Sequence, residues 1–161
     1  MNLKNKNYSG NQLVWLVILR IAIGWHFLYE GLVKVLDPGW SSIGYLLDSQ
    51  GFLSSFFHSM AANPEVLSTV DFLNQWGLVL IGLGLMLGAL TRWAAYAGML
   101  LMAFYYVSHP PFIGITYILP TEGNYLLVDK VLIEFCALGV LSIFPTGRYV
   151  GLDRFLFKRK Q

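Results

Sequence analysis

The chain reads as an all-α protein: a four-helix transmembrane bundle, both termini cytoplasmic, with a long helical outer loop between the first two spans. Three observations predict this. Of 161 residues, 56% are hydrophobic and only 12% charged, about half the charged share of a soluble domain. Four segments are apolar over nearly the length needed to cross a hydrocarbon core about 30 Å thick. The basic residues gather on one side of those segments, the pattern that sets orientation in a bilayer. So few charges cannot cover a water-soluble globule of this size. The composition therefore excludes disorder, nucleic-acid binding and an ordinary cytosolic enzyme, and it makes the lipid bilayer the first partner.

The four spans run over about 13–36, 72–90, 93–109 and 125–144, in a single membrane domain covering 1–161. Each is longer than the roughly 10 residues of a barrel strand, which favours helices. Arg20 and Glu30 interrupt the first run, and no small-residue cleavage site follows, so it reads as a retained span and not a signal peptide. Asp37-Pro38-Gly39 ends it. Two short helices are expected in the outer loop, one from Ser41 or Ser42 through Leu47 and one over Phe52 to Ala61. Asn63-Pro64-Glu65 has the order of an N-cap, a first-position proline and a first-turn acid, and its helix runs on into span two. The segment from His109 to Pro120 is apolar but carries Pro110, Pro111 and Pro120. It cannot span, and is expected to plug the outer mouth or to dock another subunit.

Lys4, Lys6, Arg92, Arg148, Arg154, Lys158, Arg159 and Lys160 all fall on one side of the spans, while the two outer loops hold Asp37, Asp48, Glu65, Asp71 and Glu122 with no Lys or Arg. Both termini are therefore expected in the cytoplasm of a cell with this protein in its inner membrane.

The charges inside the spans bear most on function, because each costs about 2.5–3.5 kcal/mol at the bilayer centre. Arg20, His26, Glu30 and Lys34 form one stripe about 120° wide on span one, at about 100° per residue. Span four carries Asp129, Lys130 and Glu134, with Lys130 and Glu134 one turn apart. Depth matching at about 1.5 Å per residue pairs Arg20 with Glu134, Glu30 with Lys130 and Lys34 with Asp129. Spans one and four should therefore be neighbours. Such pairs either specify helix register or serve a functional site. His26 has no second histidine at its depth, so no haem is expected, and no Cys/His cluster suggests a metal. Cys136 is alone, which excludes an internal dithiol relay and leaves it as a small apolar residue.

Short motifs recur in a familiar order. Span one reads Arg20-x3-Gly24-x6-Gly31-x2-Lys34, followed by Asp37-Pro38 and Trp40. Span two closes with Gly82-x-Gly84-x3-Gly88-x2-Thr91-Arg92, and the chain ends with Pro145-x-Gly147-Arg148-x2-Gly151-Leu152-Asp153. From about residue 15 to 155 this resembles the DoxX family, and more closely its DoxD branch, the small membrane subunit of thiosulfate:quinone oxidoreductase. The resemblance implies an inner-membrane four-helix protein that passes electrons from thiosulfate to a quinone, giving tetrathionate, together with a second redox subunit.

On that expectation a quinone is the substrate and sits between spans one and four. Glu30, Glu134 and His26 would exchange protons with it. Arg20, Lys34 and Lys130 would stabilise anionic forms, Trp25 would offer a ring to stack on, and Asp129 would serve in ion pairing. The partner would be a second redox subunit or another copy of the chain. Two other readings stand beside it: a non-catalytic scaffold holding a partner through the proline-rich loop and basic tail, and a small transporter. The last is disfavoured by four spans without an internal repeat.

Overall fold

The computed structural model describes residues 8–119 and 126–157. These residues form helices and loops, with no strand among them. Seven α-helices follow in order: α1 (Gly10–Leu36), α2 (Ile43–Leu47), α3 (Ser54–Ala62), α4 (Pro64–Leu87), α5 (Thr91–Ser108), α6 (Lys130–Ile143) and α7 (Asp153–Leu156), with a 3-10 turn at Thr146–Arg148. Lys4, Lys6, Glu122, Lys158, Arg159, Lys160, Pro120 and the expected start of the fourth span at Tyr125 lie outside the described residues.

α1 and α4 are long and apolar enough to cross a membrane; α5 and α6 do not meet the same measure. α1 begins with a capping box, in which Ser9 Oγ accepts from the Gln12 amide and the Gln12 side chain accepts from the Ser9 amide. α4 begins as its sequence signature requires, with Asn63 Oδ1 accepting from the amides of Glu65 and Val66 and Pro64 in the first turn.

α6 departs from expectation. It starts at Lys130, because Asp129 is its N-cap and accepts from the Leu132 amide at 2.8 Å. Just before it, Leu126 has a φ of 66°, incompatible with a continuous helix. Asp129 therefore caps α6 and Lys130 opens its first turn. The apolar run before Asp129 concealed this start.

The main core joins four helices: Ile23 and Phe27 of α1, Leu78, Ile81 and Leu85 of α4, Ala95 and Met102 of α5, and Leu138 and Leu141 of α6. Within it, α1 and α4 approach so closely that no side chain fits at three positions. A Cβ on Gly82 would collide with the backbone of Leu28, one on Gly31 would lie 2.7 Å from the Val79 amide nitrogen, and one on Gly24 2.9 Å from that of Met86. Small residues at such a seam let two backbones make extended van der Waals contact. A smaller core of Leu46, Phe57 and Ala61 ties the α2–α3 loop to α4 and α5.

Gly82→Val should therefore lose about 3 kcal/mol, the upper end of an overpacking penalty, or fail to assemble. Gly77, whose Cβ direction is open, is the control: Gly77→Ala should gain about 0.5–1 kcal/mol through helix propensity. Thermal unfolding in detergent distinguishes the two, and equal midpoints would refute the seam.

Candidate functional site

Three polar constellations lie along the bundle, and they differ in what they can do. The first is a buried knot where α4 turns into α5. Arg20 is 2% exposed, and its guanidinium donates to Thr146 Oγ1 at 3.1 Å and to the Val150 carbonyl at 2.7 Å. Asp153, also buried, accepts from the amides of Leu90 at 2.6 Å and Thr91 at 3.1 Å. Leu90 sits at a φ of 48°, a conformation costing a non-glycine residue about 1–2 kcal/mol, which the Asp153 carboxylate helps to hold. Gly88, Gly147 and Gly151 admit this packing: a Cβ on Gly151 would lie 2.8 Å from the Gly88 Cα. The expected Arg20–Glu134 pair does not form. The chain after α6 folds back and claims Arg20 at the level of the α4–α5 turn, away from α6's Glu134.

The second constellation joins α1 to α6. His26 Nδ1 and Glu134 Oε1 share a hydrogen bond of 2.5 Å. One turn along α1, Lys34 Nζ donates to Glu30 Oε2 at 3.1 Å. Lys34 is thus paired within its own helix, while Asp129 is engaged in capping α6. His26, Glu30, Lys34, Lys130 and Glu134 together line a small cavity of about 140 Å³, with Phe27, Leu78, Met102 and Tyr105 supplying its apolar wall.

A larger cavity of about 630 Å³ adjoins it at the loop end of the bundle. The two share Glu30, Lys34, Tyr105, Lys130 and Val131. Asp129 enters the lining here, as do Trp40, Tyr45, Asn74, His109 and Tyr117. Tyr45 stacks on His109 with ring centroids 3.9 Å apart, and Tyr117 covers the imidazole at 4.7 Å. Burial pushes the phenols of Tyr45 and Tyr117 above their ordinary range, so both remain neutral hydroxyl groups at physiological pH.

Six of the eight residues singled out from the sequence are therefore brought together: His26, Glu30, Lys34, Lys130, Glu134 and Asp129. Arg20 is not among them, being part of the knot. Trp25 is not either: it is 56% exposed on α1 beside Tyr29, away from the cavity lining.

The third constellation is a latch over the larger cavity. The buried Asp48 carboxylate accepts from the amides of Ile118 and Leu119, each at 2.9 Å, and faces His109 Nε2 at 3.9 Å. Ser49 Oγ donates to the Ser108 carbonyl at 2.9 Å, and Tyr117 donates to that of Pro110 at 2.9 Å. Of the two roles expected for the proline-rich segment, the described part of it is thus held over the cavity mouth, with Pro111, Tyr117 and Leu119 in the lining. Sequence reasoning missed Asp48, Asn74, Tyr105 and Asp153 as organising residues. Asn74 had a local signal, standing with Gln75 as two amides in an otherwise apolar run, and Asp153 closes the C-terminal glycine motif.

The seam glycines, Arg20 and the α1, α4 and α5 walls of the cavities fall within residues 15–110, which match the DoxX family model, while the Thr146–Asp153 side of the knot and the α6 wall lie beyond them. The chain belongs to the DoxX family. No curated protein and no solved structure matches it. For this DoxX protein the motifs of span one and the C-terminal Gly147–Asp153 segment have a structural explanation in the seam and the knot, which leaves the cavity residues as the chemistry-bearing set.

Asp48→Ala should release the proline-rich segment by removing an acceptor whose two charge-assisted bonds contribute about 1.5–3 kcal/mol each. Hydrogen exchange at the Ile118 and Leu119 amides is expected to accelerate at least tenfold, while α1 and α4 amides stay protected. Unchanged exchange at both loop amides would show that the latch lies elsewhere.

Proposed function

We propose that this DoxX protein spans the inner membrane four times, with both termini cytoplasmic, and binds a quinone as the membrane subunit of an oxidoreductase. The orientation is supported by charge: Arg92, Arg148 and Arg154 cluster at the knot end, while Asp37, Asp48, Glu65 and Asp71 occupy the loop end. α5 and α6 complete the four spans in this reading. At 14 residues α6 covers about 21 Å, and local thinning of the bilayer accommodates the difference.

The observation that carries the reading is the lining chemistry of the two adjoining cavities. A cavity lined by aromatic residues adjoins a smaller one that holds a hydrogen-bonded acid–base pair between two helices. Quinone reduction takes up two electrons and two protons. His26 and Glu134 hold a proton between a ring nitrogen and a carboxylate oxygen and pass it to a ring oxygen. Glu30, exposed in the larger chamber, reloads them. Lys34 and Lys130 place positive charge where negative charge develops, which is most effective in a site of low dielectric. Resemblance to the DoxD branch makes thiosulfate the donor: two thiosulfate ions give up two electrons and join through a new S–S bond as tetrathionate, with a second subunit handling that half-reaction. A scaffold role is the second reading, favoured by Ile113 and Ile118, which are 73% and 92% exposed on the proline-rich segment.

Two measurements decide between them. Protein purified in mild detergent should carry extractable quinone with its ultraviolet spectrum, reducible by thiosulfate once the partner subunit is present. Glu134→Gln should assemble normally yet lower quinone turnover by about 100-fold or more, the usual contribution of general acid–base catalysis. A quinone-free, redox-silent protein that retains a stable partner would leave the scaffold reading standing.

A further inference from the structure

Beyond α6 the chain stays on the bundle, tied to three helices at one level. The Arg20 guanidinium of α1 donates to the Val150 carbonyl at 2.7 Å. The Leu152 and Asp153 amides donate to the Leu87 and Gly88 carbonyls at the end of α4, at 3.0 and 2.8 Å. The Asp153 carboxylate accepts from the amides where α5 begins. Held in this way, the segment leaves Tyr149, Val150, Leu152, Phe155, Leu156 and Phe157 exposed. Trp93, 70% exposed, stands at the same end of the bundle, two residues after Thr91.

A run so rich in exposed large apolar side chains does not suit water. It does not suit the hydrocarbon core either, because its 3-10 turn and four-residue α7 cannot pair all their backbone groups internally. Aromatic and aliphatic residues interleaved with arginine fit the boundary between the two, at the headgroups. Arg92, Arg148 and Arg154 are exposed there and make no ion pair among the described residues. The one acid of the segment, Asp153, is buried and engaged by backbone amides. The Arg148 guanidinium lies over the Phe157 ring, 5.6 Å from its centroid. Such stacking uses the flat face of a guanidinium and leaves its N–H edge to a partner, an edge that matches a phosphate in bidentate geometry.

We infer that residues 148–157, with Arg92 and Trp93 of α5, form a platform in the headgroup region that binds the phosphate of an anionic phospholipid. The inference rests on the membrane-spanning reading above and is independent of the quinone. The arginines meet the phosphate, while Phe155 and Phe157 lie against the upper part of the acyl chains. A zwitterionic lipid offers the same phosphate but adds a cation that the arginines repel, so the platform selects net negative charge.

The test is native mass spectrometry of the detergent-solubilised full chain, titrated with dioleoyl phosphatidylglycerol or dioleoyl phosphatidylcholine. Wild type should prefer the anionic lipid by about 25-fold, at about fivefold for each of two basic side chains near a negative surface. Arg148→Gln combined with Arg154→Gln should cut that preference about tenfold at an unchanged thermal midpoint, since neither side chain takes part in the hydrogen bonds of the knot. Lys158, Arg159 and Lys160 stay in place throughout, so the comparison reads the platform alone. Inorganic phosphate, which brings no acyl chains, should not displace the lipid. Equal binding of both lipids by wild type, a preference unmoved in the double variant, or full displacement by inorganic phosphate would overturn the platform and leave the spanning reading intact. Release of the wild-type chain from vesicles by alkaline carbonate would instead refute the spanning reading, and the platform with it.

Discussion

The close approach of α1 and α4 is the constraint on which the rest of the molecule depends. Gly24, Gly31 and Gly82 remove the side chains that would hold the two backbones apart. Fixing that seam fixes the rotation of α1 about its axis. At about 100° per residue, Lys34 and Glu30 then stand about 80–120° round the helix from the seam, with His26 a further step on. This is the side on which α6 packs, so Glu134 meets His26 there. A side chain at Gly82 would turn or displace α1 and disperse the polar stripe, although Gly24, Gly31 and Gly82 line neither cavity.

The two ends of the bundle are closed by unlike devices that share one principle. A buried carboxylate accepts two backbone amides from a distant stretch of chain: Asp153 takes those of Leu90 and Thr91, and Asp48 takes those of Ile118 and Leu119. Charge-assisted bonds of this kind are stronger than neutral ones, and in a chain so poor in charge they locate loops that have little apolar surface to bury. The Asp153 knot also occupies Arg20's surroundings, making that cation part of the architecture. The Asp48 latch leaves a chamber beneath it. Between the closures His26, Glu30, Lys34, Lys130 and Glu134 line a common space, within which His26 bonds Glu134 and Lys34 bonds Glu30.

Much of the helical layout was legible in the sequence because its signals are local. Asn63-Pro64-Glu65 marks the start of α4, and Asp37-Pro38-Gly39 follows the end of α1. The start of α6 was hidden, since Leu126, Leu127 and Val128 continue its apolar run while the backbone has already left the helix. The stripe on α1 was also legible, and with it most of the cavity's charged lining. The partners were not. Depth counting pairs Arg20 with Glu134 only if nothing else competes, and Thr146 and Val150 compete across more than a hundred residues of sequence. Asp48 and Asp153 act over separations of 62 to 71 residues, so the sequence around each does not show which amides it holds. Asn74 could have been noticed as an amide within a span; its hydrogen-bond partner is Tyr105 of another helix, which no linear reading supplies.

The central claim is that the adjoining cavities between α1, α5 and α6 hold a quinone ring. Photolabelling with an azido-benzoquinone, followed by mass spectrometry of the cleaved chain, tests it most directly. The account predicts labels on peptides containing Glu30–Lys34, Tyr105 and Lys130–Glu134, suppressed by excess unlabelled quinone and reduced by Glu134→Gln only in turnover and not in position. Labelling confined to the exposed Trp25–Tyr29 face, or insensitive to competing quinone, would contradict it.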